Sequence, residues 1–336
     1  MHNPASVGVV IPAYNAADTI ERALRSIAAQ TLKPAQVVVV DDGSVDQTET
    51  IALACGAFLD GVALKVVRQE NVGAGAARNR GISEVDQPYV AFLDSDDEWF
   101  PKKLERSMAV LKYGDFDLVA HDFVAYQDGV DRVVEASRYF GRTEQPLAEL
   151  YIRGYIPSIT VVVRRDLITS VSGFDVTLPN AQDFDLWLAM LLQPGIRFTV
   201  FDEPLARYRQ GPTGIMSHTE RRLSCCIRIA RRYAPQFSFR AHTTRIMAVH
   251  KEAFVAHVAN KKWVVAMLIP IRLSLALIAE PLTAMFMKRS ENIREPMIRR
   301  SLILGISGVW AFAVFTLYIA QFSNIFGAVL RVIGIQ

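Results

Sequence analysis

The stretch YVAFLDSDDEW, residues 89–99, runs from an apolar segment straight into the four acids Asp94, Asp96, Asp97 and Glu98. An unbroken apolar run of this length reads as a strand buried on both faces, as in a parallel sheet covered by helices. The acids then sit at its carboxyl end, the edge of an open α/β sheet where ligands bind. Three similar runs precede it, at Val7–Ile11, Gln36–Val40 and Ala63–Val67. Between them Ala17–Gln30, Asp46–Cys55 and Ala74–Ser83 read as helices, with Ser44 or Asp46 placed to cap the second. This alternation predicts an α/β layer with a mostly parallel sheet.

After Pro101 the rhythm loosens. A helix is expected over Lys102–Tyr113, a short strand near Leu118, and a hairpin within 121–140 turning at Asp128-Gly129. A strand over Ile159–Val163 and a helix over 183–192 follow. FTVFDEPLARYRQGPTGIMS then reads as a strand leading into a Gly/Pro-rich loop.

The 336 residues are 51% hydrophobic, and the formal charge of +3 hides an asymmetry. Residues 1–220 carry a balance of −10, whereas 221–300 carry +12. Residues 301–330 contain no charge at all, and a bilayer span needs only ~20 apolar residues. The apolar stretch 263–287 is broken by Pro270, Arg272, Glu280 and Pro281, which fits an interfacial or re-entrant helix better than a clean span. Lys261, Lys262, Lys288, Arg289, Arg294, Arg299 and Arg300 flank it and prefer the cytoplasmic side. Three regions are therefore expected: a catalytic domain over 1–220, a basic amphipathic helical region over 221–300, and a hydrophobic membrane segment over 301–336. The 301–330 stretch is expected to be one span or a tight hairpin near Ser323-Asn324. The expected location is the cytoplasmic (inner) membrane, with the catalytic domain facing the cytoplasm. Aromatics interleaved with the basic residues of 221–251 point to membrane lipid and not to nucleic acid. Cys55, Cys225 and Cys226 have no metal-ligand spacing and suggest a reducing compartment. The N-terminus shows no charged leader or long apolar core of a secretory signal.

Four segments should meet at the carboxyl edge: IPAYN (11–15), VVDDGS (39–44), NVGAGAARNRGI (71–82) and LDSDDEW (93–99). Acids gathered there without His or Cys suit a hard divalent cation, Mg2+ or Mn2+. Such an ion, gripped by one or two carboxylates, completes its shell with phosphate oxygens and water. A dinucleotide dehydrogenase would place G-x-G-x-x-G after the first strand, where PAYNAA stands, and no G-x-x-x-x-G-K-[ST] exists for a P-loop.

In order and spacing, VVIPAYNAADTIERALRSIAAQT, VVVVDDGSVDQT, ENVGAGAARNRGI and YVAFLDSDDEWFPKKLE resemble the signature segments of family 2 glycosyltransferases with a GT-A fold. The resemblance covers roughly residues 5–215. It implies that Pro12, Ala13 and Tyr14 border the base and ribose pocket, and that Asp41 or Asp42 binds the nucleobase or ribose. Arg78 would stand near the diphosphate or donor sugar, with Arg80 a surface residue. Asp94, Ser95 and Asp96 would grip a metal–diphosphate, with Asp96 the direct ligand. Asp97 would instead bind donor-sugar hydroxyls. In AQDFDLWLAM, Gln182 replaces the commoner Glu and Asp183 matches the base, with Asp185 its nearest competitor. Inverting transfer needs one carboxylate to take the acceptor's proton. Gly173–Pro179 would line the acceptor side or form a turn around a core Phe. Arg207, Arg209 and His218 would face the diphosphate.

The Gln-x-x-Arg-Trp segment of processive members is missing, which implies single additions. The resemblance implies a nucleotide-sugar donor, expected to be a UDP-sugar. The expected acceptor is a polyprenyl-diphosphate-linked saccharide in exopolysaccharide, capsule or O-antigen assembly. A polyprenyl-phosphate acceptor and a catalytically degenerate membrane scaffold are the alternatives.

Overall fold

The structure, a computed structural model, describes residues 5–140, 143–154, 156–209 and 219–290. β1 (Ala5–Ala13), β2 (Pro34–Asp41), β3 (Ala63–Arg68) and β4 (Tyr89–Phe92) alternate with α1 (Ile20–Ala28), α2 (Thr48–Ala54) and α3 (Ala74–Ser83). β1 pairs in parallel with both β2 and β4, and β2 with β3. Val7, Val9, Val10, Ile11 and Val37 to Val40 have no exposed surface, so the sheet centre is covered on both faces. α1 contributes Ile20, Ala23, Leu24 and Ile27 to that cover, an i, i+3, i+4, i+7 stripe. α3 comes closer to β1 than most helices could. A Cβ on Gly81 would lie 2.4 Å from a Val10 methyl, so only glycine fits.

The chain continues through β5 (Glu98–Trp99), α4 (Lys103–Gly114), β6 (Leu118–His121), β7 (Phe123–Gln127) and β8 (Val130–Val134). Then come α5 (Ser137–Phe140), α6 (Pro146–Arg153), β9 (Val162–Arg164), α7 (Arg165–Ser170), α8 (Gln182–Leu191), β10 (Phe198–Phe201), β11 (Ala206–Arg209) and α9 (Thr219–Tyr233). The central sheet has the order β10-β6-β9-β4-β1-β2-β3. It is parallel except for β9, which runs antiparallel to β4 and β6. The expected mostly parallel sheet is thus present. The strand expected over Ile159–Val163 starts later, because Ser158–Thr160 forms a 3-10 turn.

A second sheet, β5-β11-β7-β8, contains the expected hairpin. Asp128 and Gly129 turn it with φ of 51° and 83°, both in the left-handed region. Two strands, not one, lie between 198 and 209. Neither Ser44 nor Asp46 is the N-cap of α2, which is Gln47. Ser44 Oγ instead accepts the Asn15 N–H, and Asp46 accepts from Ala17 and Thr48.

The first compact unit is Met1–Phe237 and the second Ser238–Gln336. The first unit therefore includes α9, which the charge pattern assigned to the basic region beyond 220. Its ion pairs explain why: Arg232 binds Asp175 and Asp185, and the Tyr151 hydroxyl donates to the Ala230 carbonyl. In the second unit α10 (Phe239–Ala259) packs against α11 (Trp263–Ser290). Among the described residues no helix is long and apolar enough to cross a membrane. The apolar stretch 301–330 lies outside the described residues. The three cysteines are free and buried.

Candidate active site

The parallel strands bring the ends of β1, β2 and β4 to one edge of the sheet, beside the N-termini of α3 and α8. Arg78, on α3, is 8% exposed and donates to Asp94 Oδ1 at 2.6 Å. Burial works against its charge, but Asp94 raises its pKa above the ordinary arginine value. Removing one partner of such a buried pair leaves an uncompensated charge and costs about 3–5 kcal/mol. Arg80, by contrast, pairs with Glu84 on the surface, as expected.

α8 brings Asp183 to the same place. Phe92 of β4 is fully buried and packs edge-on to Phe174 at 5.5 Å and against Trp187 of α8 at 6.1 Å. This wedge ties α8 to β4, and Phe92→Ala would cost about 3–5 kcal/mol. Phe174 is therefore a core residue in a turn held by Asn79, the second of the two readings of Gly173–Pro179. At the start of α8, Ala181 adopts φ 56°, a left-handed conformation that costs a non-glycine residue about 1–2 kcal/mol. Gln182 follows, its Oε1 3.5 Å from Arg78 and its Nε2 donating to the Leu178 carbonyl. A Cβ on Gly75 would meet Gln182 at 3.1 Å, so α3 and α8 touch there. Asp183 is half-buried. Burial raises its pKa and the Arg78 charge partly offsets the rise. Its competitor Asp185 turns the other way and is bound by Arg232 at 2.7 and 2.9 Å.

Asp94 and Asp96 flank Ser95 just past the end of β4. Asp96 is exposed. Protein crowded around its carboxyl, and then the Asp94 charge, push its pKa up to about 6. Asp97 does not share the open crevice. It is fully buried, and its Oδ1 accepts the Arg209 N–H at 2.7 Å. Its Oδ2 has no partner among the described residues, and burial followed by Asp96 and Asp94 pushes the carboxyl well up. A buried carboxyl anchored to β11 is not positioned for the sugar hydroxyls expected of it.

The strand-end acids of β2 also differ from expectation. Asp41 is fully buried, binding Arg68 at 2.6 Å and accepting from the Ser44 N–H. Asp42 accepts from Gln69 Nε2, Val72 N–H and Gly73 N–H. Both carboxylates therefore hold the protein together, Asp42 by pinning the loop that enters α3. The neighbouring cavity is lined by Gly43, Arg68, Gln69, Glu70 and Asn71. Of the β1 trio, Tyr14 is 51% exposed and Pro12 half-buried, both free to border a pocket. Ala13 is 2% exposed, packs in the core, and gives its carbonyl to the Asp42 N–H. Arg207 and Arg209 bind Glu98 at 2.7 and 2.8 Å, joining β11 to β5. His218 lies outside the described residues.

Three residues enter the site that motif matching passes over. Arg22 of α1 donates to the Asp96 carbonyl at 2.8 Å. Arg222 of α9 acts electrostatically on Asp183. Tyr208, half-buried on β11, feels Asp97, Asp94, Asp183 and Asp96 together. The alternation in RYR was the available clue, since Arg207 and Arg209 share one face of the strand and Tyr208 takes the other.

The family description "Glycosyl transferase family 2" matches residues 8–170. The amylovoran biosynthesis glycosyltransferase AmsB of Erwinia amylovora is 32% identical over 210 residues, 60% of this chain and 69% of AmsB. The chain belongs to glycosyltransferase family 2. It spans about a third of the length of several curated relatives it matches, 32% in one case. Among solved structures, S. aureus TarS 1-349 in complex with UDP-GlcNAc gives a TM-score of 0.57 at 21% identity, over 82% of this chain and 85% of that one. The mannosyltransferase PcManGT from Pyrobaculum calidifontis, in complex with GDP-Man and Mn2+, gives 0.56 at 18% identity, over 94% and 88%. These likenesses show the fold, and they agree with the GT-A architecture expected of this family 2 chain.

Proposed function

We propose that this family 2 chain is an inverting, divalent-metal-dependent glycosyltransferase. It moves one sugar from a nucleotide-diphosphate sugar to a lipid-linked saccharide in bacterial polysaccharide assembly. The observation that carries the reading is the Arg78–Asp94 pair at 2.6 Å, whose guanidinium acts electrostatically on both Asp96 and Asp183. It supports a phosphate end and a base end in one crevice.

The donor set fits a hard cation. Burial first, and then the Asp94 charge, raise the pKa of the Asp96 carboxyl, and a cation held by the two would offset both. Among the described residues no third His, Cys, Asp or Glu completes a protein cage, so phosphate and water would fill the other positions. Asp94 and Asp96 would hold Mg2+ or Mn2+, which neutralises charge on the leaving diphosphate. Arg78 orients Asp94. Asp183 takes the proton of the acceptor hydroxyl as its oxygen attacks the anomeric carbon. Tyr14 and Pro12 border the nucleoside, for which a UDP donor is our choice.

The acceptor proposed is a polyprenyl-diphosphate-linked saccharide. AmsB, by its name, serves amylovoran biosynthesis, which supports a polysaccharide product. For location we propose the cytoplasmic membrane face. In α11 the exposed Trp263, Val264, Met267, Leu268, Ile271 and Leu275, within a strongly basic region, support interfacial binding to anionic lipid.

The test is a donor screen with membranes holding the full chain, several nucleotide sugars and lipid-linked acceptors, with Mn2+ or EDTA. Metal-dependent transfer is expected. Asp183→Asn should lower kcat by about 10²–10⁴-fold with donor binding kept. Near-normal transfer by that variant would sink the base assignment.

A further inference from the structure

Asp183 stands at the end of an irregular segment. From Gly173 to Ala181 the chain forms no helix or strand. Ser172, Gly173 and Ala181 turn it with φ of 65°, 74° and 56°. A catalytic group has to be held within about 0.5 Å of its working position, so a tie from outside the segment is needed. Asn79 of α3 supplies one. Its Nδ2 donates to the Phe174 carbonyl at 2.9 Å, and its Oδ1 accepts the Phe174 N–H at 2.8 Å. A side-chain amide carries the donor and the acceptor of a peptide group, so Asn79 serves Phe174 as a neighbouring strand would. The fit leaves no slack. A Cβ on Gly173 would lie 2.4 Å from Asn79 Oδ1, and the φ of 74° there favours glycine as well.

The clamp reaches Asp183 by two routes. The Phe174 ring packs on Trp187 at 6.4 Å, and Trp187 lies one helical turn beyond Asp183 on the same face of α8. Further along the segment, the Leu178 carbonyl accepts from Nε2 of Gln182 at 2.5 Å, the residue just before Asp183. On α3 itself, Asn79 follows Arg78, whose guanidinium lies 5.5 Å from the Phe174 ring centroid and binds Asp94. Adjacent residues of one helix thus hold Asp94 and the approach to Asp183.

We propose that Asn79 is a positioning residue for the transfer step, acting through Asp183 by clamping the turn that leads into α8. The proposal rests on the reading of Asp183 as the base. The Asn79 amide is spent on the Phe174 backbone, so it sets where the carboxylate stands and leaves donor binding alone. A residue that only adds stability would behave differently, because its loss would not depend on whether Asp183 is present.

The experiment is a double-mutant cycle on the full chain in detergent: wild type, Asn79→Ala, Asp183→Asn and the double variant. Asn79→Asp is a second, milder variant, which keeps the acceptor for the Phe174 N–H and loses the donor to the carbonyl. Transfer is followed with the best donor from the screen, radiolabelled. Binding of the matching nucleoside diphosphate with Mn2+ and thermal melting are measured alongside, and rates are taken well below melting. Asn79→Ala should lower kcat about 10–100-fold, the scale of a small misplacement of a catalytic group. Donor KM and nucleoside diphosphate affinity should stay within about twofold of wild type. In the Asp183→Asn background the same change should cost less than about threefold, because residues that act as a unit are not additive. Asn79→Asp should fall between wild type and Asn79→Ala. The full multiplicative loss in the Asp183→Asn background overturns the proposal, as does an unchanged kcat or weakened nucleoside diphosphate binding. If neither Asn79 variant folds, the residue is a folding determinant alone and the proposal falls. Near-normal transfer by Asp183→Asn by itself is a distinct outcome: the base assignment has then failed, and the proposal goes with it.

Discussion

Two pairs of acids stand at the ends of strands on either side of β1, and they have opposite physics. Asp41 and Asp42, after β2, are satisfied by the protein itself: Arg68, Gln69 and the N–H groups of Ser44, Val72 and Gly73 all donate to them. Asp94 and Asp96, after β4, repel each other, and Arg78 binds Asp94 while Asp96 opens to the crevice. The first pair is a clamp that shapes the loop before α3. The second is an electrostatic deficit that a cation and a diphosphate would fill. The same residue type at equivalent strand ends is thus spent on structure in one place and, on the function proposed, kept for a ligand in the other.

The largest expected effect breaks the clamp. Asp42→Ala leaves two backbone N–H groups and Gln69 without their acceptor. It should lower stability by about 3 kcal/mol, a fall in Tm of roughly 6–12 °C at this size, measured by calorimetry. A fall under about 2 °C would show that the loop holds without Asp42.

The next effect is on pH. Asp96 has a folded pKa of about 6, above the ordinary 3.8, so it takes up a proton as pH falls through 6. A bound cation competes with that proton. Mn2+ affinity should therefore fall by up to about tenfold per pH unit below 6. A flat affinity between pH 7 and 5 would contradict the assignment of Asp96.

The smallest effect concerns stability. Asp96→Asn removes one side of the repulsion at an exposed position. It should leave Tm unchanged or raise it slightly, within about 1 kcal/mol. A clear loss of stability would mean that Asp96, like Asp42, is structural.

Much of this layout is legible in the chain. β1, β2 and β4 are read from apolar runs because burial on both faces leaves no room for polar alternation, whereas β3, at the sheet edge, is partly exposed. Arg78 and Arg80 are told apart by motif match, and the structure pairs the first with Asp94 and the second with Glu84. What escapes is set by distant partners. Asp41 and Asp42 look like ligand residues until donors 27 to 31 positions away arrive. Asp97 reads as a crevice acid until β11, 112 residues on, binds it. β9 is three residues long, and nothing local shows that it runs antiparallel. α9 looks like membrane-facing positive charge, yet two of its arginines are consumed by Asp175, Asp185 and Thr177.

The most direct test is calorimetric titration of Mn2+, in the presence of a nucleoside diphosphate, into the full chain in detergent and into its Asp96→Asn and Asp42→Asn variants. Wild type and folded Asp42→Asn should bind the ion alike, while Asp96→Asn should bind it at least tenfold more weakly. Equal binding by Asp96→Asn, or its loss in a folded Asp42→Asn, would place the cation elsewhere and contradict the division between the two acidic pairs.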